Sequence, residues 1–525
     1  MYKATTKWLV TVGTLLAVMT ACGDLTVQPK SSITTGNVFS DTTSYRAFLA
    51  KLYAGLVVTG QNGPDNNPDI LGIDEGFSQY TRGYWQMQEL PTDEAIIAWG
   101  DIGLPELNTM TWSASNVFVN AMYSRIFYQV AVANQFLRET RDTTLTRRGV
   151  STELRTQIQQ YRAEARFLRA LSYWHALDLF GSVPLVDEDV ILTTLPRQGT
   201  RTEVFTFVES ELKAIRSALP AKSTGANYAR ASQASVDMLL AKLYLNAKVY
   251  TGTDRSSDAR LATEAVINAG FTLDPDFLHL FSADNNTSAE LIFTVPQDGD
   301  HTRTWGGLTY LVHAGVGGNM KPSDFGIDGG WWGLRLRPET VDRLGGPRGP
   351  DRRSWIIFDS GQTKSISDFF QFGQGYGYPK YRNVKSTGGG GSNLTFPDTD
   401  FPMFRLADAY LMYAEAVLRG GGGSRATALG YVNQIRERAY GGVAGDITDA
   451  ELTLQFILDE RSRELLWEGH RRQDLIRFGQ FSDAGIWEWK GNLQAGRTTA
   501  KFYDLYPIPA NELSANPTVK QNPGY

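Results

Sequence analysis

One cysteine, Cys22, stands among 525 residues, so no intramolecular disulfide can form. Histidine is nearly as scarce. Five are scattered along the chain, without an H-E-x-x-H or a Cys–His cluster. His301 and His313 are close enough in sequence to meet in a loop, but a lone pair is too little for a metal site, and no cofactor motif stands beside them. The glycine runs at 388–391 and 420–423 lack the Lys-Ser/Thr that completes a phosphate-binding loop, and read as connectors. No Gly-x-Ser-x-Gly elbow is present, which removes one common hydrolase arrangement. Lys plus Arg (51) falls short of Asp plus Glu (56), a net charge of 51 − 56 = −5. Without a basic excess or a basic run, a nucleic-acid partner is excluded. Beyond the N-terminus, no apolar stretch approaches the roughly 20 residues that a membrane-crossing helix needs.

The N-terminus accounts for the lone cysteine. Lys3 and Lys7 lead into an apolar stretch from Trp8 to Met19, and the small residues Thr20 and Ala21 precede Cys22. Charged, apolar and small-residue regions in that order form a secretory signal, here residues 1–21. Met19-Thr20-Ala21-Cys22 resembles a bacterial lipobox. Cys22 is therefore expected to be the acylated first residue of the mature chain, with residues 23 to about 28 as its tether to membrane lipid.

Aromatic residues are abundant, at 12 Trp, 23 Tyr and 26 Phe. Most must serve a large core, while flat rings also suit stacking on sugar faces. Helical periodicity dominates both ends of the chain. Ala165, Leu168, Ser172, His175 and Leu179 form an i, i+3, i+4 stripe within 161–180, and Arg162, Arg166 and Arg169 lie off it. Further helices are predicted over 115–139, 203–219, 234–250, 407–418, 425–439 and 451–467. Their pairing suggests tetratricopeptide-like units. Residues 60–111 and about 271–401 are instead rich in Gly, Trp and Asp, and read as loop-rich regions apart from a short strand at 291–295. The expected organisation of 22–525 is one all-α domain: a helical scaffold over about 31–270 and 402–525, with the 271–401 insertion on it. Loops held by such a scaffold are where binding concentrates.

Carboxylates near tryptophans, Asp93-Glu94, Asp324 and Asp328, are the candidates for a glycosidase pair, though nothing ranks them above capping or solvated acids.

Four segments carry a family resemblance. Residues 162–184 read RAEARFLRALSYWHALDLFGSVP, 404–416 read FRLADAYLMYAEA, 460–479 read ERSRELLWEGHRRQDLIRFG, and the chain ends from 506 in YPIPANELSANPTVKQNPGY. In this order, behind a lipobox, they resemble the SusD/RagB family of starch-utilisation surface lipoproteins over nearly the whole chain. The resemblance implies a tetratricopeptide-like α-superhelix with a loop-built ligand site. It also implies a lipid-anchored place on the outer membrane facing outward, a SusC-like TonB-dependent porin as partner, an oligosaccharide as ligand, and no catalysis. A peptide-capturing relative on the same fold is the alternative, and a surface glycoside hydrolase a distant third. The charged residues from Glu460 to Asp474 are too many for one solvated stripe and are expected to form a network locking the last helices in place. The proline-rich terminus should lie extended across the body. The family supplies no fixed binding motif, so the site is chosen from the loops. Trp99, Trp305, Trp331 and Trp332 are the stacking candidates, with Arg82, Asp101 and Tyr310 as hydroxyl partners. Trp331-Trp332 sits in a glycine frame, and adjacent rings in extended chain point to opposite faces, so only one of them need be exposed.

Overall fold

Apolar stripes with clean caps fold this chain into helices. The computed structural model describes Phe39 and residues 42–525 apart from 62, 67, 191 and 192, so the signal, Cys22 and the tether lie outside the described residues. Asn116 caps the Val117–Glu139 helix, its side chain accepting from Phe118 N and Val119 N. Ser151 starts Thr152–Phe180 in the same way, and Gly181 ends it. Thr200 and Glu203 close a capping box at Arg201–Ile215. The helix predicted over 234–250 breaks at Asn246 into Gln233–Leu245 and Ala247–Thr251, and stops at Gly252 with φ +78°. Gln233–Leu245 packs on Ser256–Ile267, which packs on Leu406–Leu418, which packs on Arg425–Tyr440. Val117–Glu139, Thr152–Phe180 and Arg201–Ile215 stack in the same successive manner. This is the expected helix-pair scaffold. Residues 48–525 form one unit; within 1–47, the ring of Phe39 lies 5.0 Å from that of Tyr45.

Among the described residues, strands are few and short. Three antiparallel pairs join Ala95–Ile97 to Leu334–Leu336, Val183–Pro184 to Gln198–Gly199, and Leu291–Val295 to Phe401–Arg405.

Two expectations need correction. The 60–111 region, read as irregular, contains the helices Tyr80–Glu89 and Leu104–Thr109. All ten residues of Tyr80–Glu89 are buried, so the sequence offers no polar face to mark it. The terminal segment is largely extended, with Tyr506 N donating to Leu179 O (2.8 Å) and Asn522 Nδ2 to Phe180 O (2.9 Å). It nonetheless includes a short helix, Ala510–Ala515, directly after Pro509. A proline at a helix start forfeits no hydrogen bond, because the first N–H groups have no partner within the helix.

The charge network is present and buried. Arg405 bonds Glu290 (2.9 Å), Glu464 (2.7 Å) and Glu468 (2.6 Å), all at most 1% exposed. Arg353 bonds Asp351, Glu460 and Glu464, and Lys380 bonds Glu468. Arg461 links Asp408 to Asp474, while Arg471 holds Asp93 and Arg472 holds Asp178. Burial pushes the Glu460 carboxyl up, but Arg353, Arg463 and Arg436 hold it below the usual range. Arg169, placed off the apolar stripe, is likewise buried, between Glu188 and Glu211.

Asp400 behaves differently. It is 2% exposed and accepts hydrogen bonds from Tyr228 Oη (2.5 Å) and Gln297 N (2.7 Å). Burial outweighs those bonds, Asp398 adds repulsion, and the carboxyl is pushed up from 3.8 to about 7. A folded-state pKa above the unfolded value means stability that is fully present below about pH 4 and lost as pH rises through 7. Between pH 5 and 8 the protein should therefore lose about 2–3 kcal/mol that Asp400→Asn does not lose. Urea titrations of both proteins at the two pH values check this. Equal losses would show that Asp400 is not the titrating group.

Candidate functional site

The site is assembled by the pairing of Ala95–Ile97 with Leu334–Leu336, in which Ile97 lies opposite Leu334. Ala98 N donates to Gly333 O (2.9 Å), carrying the pairing one step further and bringing Trp99 beside the chain that enters at Trp331. That entering chain is pinned to the end of the Gly307–Ala314 helix. Trp331 N, Trp332 N and Gly333 N donate to His313 O (2.8 Å), Val316 O (3.0 Å) and Ala314 O (2.9 Å). They occupy carbonyls near the helix C-terminus that have no partner within the helix. The glycine frame is a steric requirement. A Cβ on residue 330 would fall 2.4 Å from Val316 O, and one on residue 333 would fall 2.8 Å from the Trp99 ring.

The two adjacent tryptophans diverge, though not as neighbours in extended chain, because Trp332 is left-handed. Trp332 adopts φ +56°, a conformation that bulky L-residues rarely take, and is 54% exposed against Phe372 (centroids 5.8 Å). Trp331 is half-buried, stacked on His313 at 4.7 Å and 24°, with the rings of Trp99 and Trp305 each 6.2 Å away. Successive contacts thus link Trp99, Trp331 and Trp305 in a row of half-buried rings, and Phe396 adjoins Trp305 at 5.2 Å. Polar anchors fix the row. Trp99 Nε1 donates to Trp331 O (3.0 Å) and Trp305 Nε1 to Asp65 Oδ1 (3.2 Å). Trp305 N donates to buried Glu75 (2.9 Å), which also accepts from Thr59 and Thr304 at 2.6 Å each.

Arg82 lies behind this row and is 4% exposed. Its guanidinium packs on the rings of Tyr310 (4.4 Å), Phe77 (5.0 Å) and Trp99 (5.9 Å). Nη1 reaches Trp305 O at 3.5 Å, and Nε has no hydrogen-bond partner. Burial lowers its pKa, countered by Tyr310 and the carboxylates of Asp74, Asp101 and Glu75. Asp101 is half-buried, and its carbonyl receives Leu104 N (2.9 Å) at the start of the next helix. Tyr310 corrects the sequence reading. Expected to reach a ligand hydroxyl, it is 0% exposed because its helix is buried all round, and its ring supports Arg82 instead. Glu75, His313 and Phe396 were not foreseen as parts of the site. His313, weighed only as a metal ligand, is held between Gly329 O and Thr395 O.

The carboxylates considered for hydrolysis are mostly engaged elsewhere. Asp93 is bonded by Arg343 and Arg471, Glu94 accepts from Ser462, and Asp328 accepts from Thr395. Asp324 is exposed in the Pro322–Phe325 turn. Among the described residues, no group of three or more His, Cys, Asp or Glu could hold a metal ion, and no helix is long and apolar enough to cross a membrane.

A helix-pair scaffold with aromatic rings presented from its loops defines an α-helical protein of the tetratricopeptide-like kind. Residues 355–525 match the model of the SusD family, and residues 41–245 match one described as starch-binding associating with outer membrane. The chain is 34% identical to the starch-binding protein SusD of Bacteroides thetaiotaomicron, over 98% of this chain and 97% of that protein. It is 24% identical to SusD-like protein P2 of Formosa agariphila, over 99% and 100%. The protein belongs to the SusD family. Solved structures share its fold. A laminarin-binding SusD-like protein is 23% identical with a TM-score of 0.70, covering 92% of this chain and 99% of that one. Surface glycan-binding protein A of Bacteroides thetaiotaomicron, in complex with laminarihexaose, is 19% identical with a TM-score of 0.69, covering 91% and 99%.

Proposed function

We propose that this protein captures oligosaccharides on the outer face of the outer membrane and hands them to a SusC-like TonB-dependent porin without hydrolysing them. The observation that carries this reading is the series of half-buried rings Trp99, Trp331 and Trp305 in mutual contact. Flat rings offer faces for pyranose C–H groups, and Arg82, Asp101 and Asp74 supply donors and acceptors for hydroxyls. The starch-binding name of the 34%-identical relative supports a glycan as ligand, and the outer-membrane description of the matching family model supports the location. Anchoring through acylated Cys22 rests on the lipobox, and delivery to the porin rests on the family resemblance.

The test is a calorimetric titration of the full chain with maltoheptaose and laminarihexaose, with the sugars analysed by chromatography afterwards. Saturable binding with intact sugar is expected. Binding of neither sugar, or products whose formation depends on one Asp or Glu, would overturn the reading. In cells, Cys22→Ala should move the protein out of the outer-membrane fraction, and retention equal to the parent's would refute the anchor.

A further inference from the structure

A cavity of about 260 Å³ that shares no residue with the tryptophan row opens between the Pro275–Leu278 turn, the 3-10 turn Arg352–Ile356 and the end of the Arg425–Tyr440 helix. Part of its lining is apolar, from Phe277, Leu278 and Ile356, and the rest is dominated by four arginines. Two of these are neutralised inside the protein: Arg353 by Asp351, Glu460 and Glu464, and Arg438 by Glu290 and Glu464. Arg352 and Arg382 form no ion pair among the described residues. Arg382 is half-buried, and its Nε is buried without a hydrogen-bond partner. Arg352 is exposed but fixed in place. Its guanidinium lies 5.8 Å from the Trp355 ring and fills the space that a Cβ on Gly441 would need. Trp355 is 59% exposed, yet its Nε1 donates to Gly349 O (2.8 Å), which fixes the orientation of the ring. The acid lining the cavity, Asp276, is exposed and uses Oδ1 to receive Leu278 N (2.9 Å).

We propose that this cavity is a second carbohydrate site, one that takes an acidic sugar unit, a pyranose bearing a carboxylate or a sulfate. Neither the Arg352 nor the Arg382 guanidinium is ion-paired among the described residues, although Asp276 lies close enough to Arg382 to favour its charged form. Two such groups suit an oxyanion, which can receive paired N–H donors from each. The fixed, exposed Trp355 ring supplies the stacking face that a bare anion would not use. A volume somewhat below the roughly 300–1,000 Å³ of drug-sized sites fits one sugar ring better than a chain. The proposal does not depend on the tryptophan row.

Calorimetric titration of the full chain with trigalacturonate, a sulfated disaccharide, maltotriose and sodium sulfate tests it. At least one of the two anionic sugars should bind saturably and more tightly than inorganic sulfate, and the two titrations tell carboxylate from sulfate. Arg352→Ala and Trp355→Ala, both at exposed positions that leave the fold intact, should each weaken that binding at least tenfold. Trp99→Ala should leave it unchanged while weakening any binding of maltotriose. The proposal is overturned if neither anionic sugar binds or if their binding is lost in Trp99→Ala. It is equally overturned if sodium sulfate binds as tightly as the sugars and Trp355→Ala has no effect, since that outcome describes an anion hole and not a sugar site.

Discussion

Arg405→Leu should cost about 3–5 kcal/mol of unfolding free energy, or leave no folded protein, because it strips a charge-assisted bond from each of three buried carboxylates. Arg405 is 1% exposed and bonds three glutamates, Glu290, Glu464 and Glu468, none of which touches solvent. Removing it leaves Glu468 with Lys380, Glu464 with Arg353 and Arg438, and Glu290 with Arg438. Each carboxylate then keeps a cation but loses a charge-assisted bond in a place where water cannot replace it. Replacing the whole network with apolar residues is a different experiment and can be neutral, since the desolvation cost of the ions disappears with them. Urea unfolding followed by circular dichroism measures the single-site effect. A loss under 1 kcal/mol would show that the network relaxes around the gap. The comparison control is Arg425→Leu, whose partner Asp449 is 64% exposed; surface pairs contribute about 0–1 kcal/mol.

The network also shows what a sequence can disclose. Charges crowded between Glu460 and Asp474 cannot all face water, so a buried lattice was foreseeable; its partners Asp93, Asp178, Glu290 and Arg353 were not, because they are brought in from far along the chain. Helices announced themselves where one face stays polar, as in Val117–Glu139; Thr152–Phe180 was legible only from 161, its first turns and its Ser151 cap going unread. Tyr80–Glu89, buried on every side, had no such face. The same physics limited the reading of the site. The glycine frame around Trp331-Trp332 was legible as a pattern, but the steric need for Gly330 and Gly333 came only with the structure. Tyr310 sits on a helix whose eight residues are all buried, and its composition gave no sign of that. Glu75 matters only because folding carries it to Trp305 N, a contact between distant segments that no local pattern encodes.

Trp331→Ala should weaken oligosaccharide binding at least tenfold, whereas Trp332→Ala should change it less than threefold. The adjacent rings serve different neighbours. Trp331 contacts both Trp99 and Trp305 in the row, while Trp332, turned by its positive φ, packs on Phe372. Tenfold corresponds to about 1.4 kcal/mol, within reach of one aromatic stacking face. Stability separates this from a core effect. A fully buried tryptophan loses about 3–5 kcal/mol on truncation, but Trp331 is only half-buried, so its variant should lose less than that range. Trp332, at 54% exposure, should melt almost as the parent does. Trp99→Ala should weaken binding too, and lower stability further, since it deletes both a ring of the row and the Nε1 bond that holds Trp331 O. Calorimetry beside thermal melts of the three variants reads both quantities. If Trp332→Ala abolished binding and Trp331→Ala left it intact, the sugar would lie on the Phe372 side, and the row of half-buried rings would be packing alone.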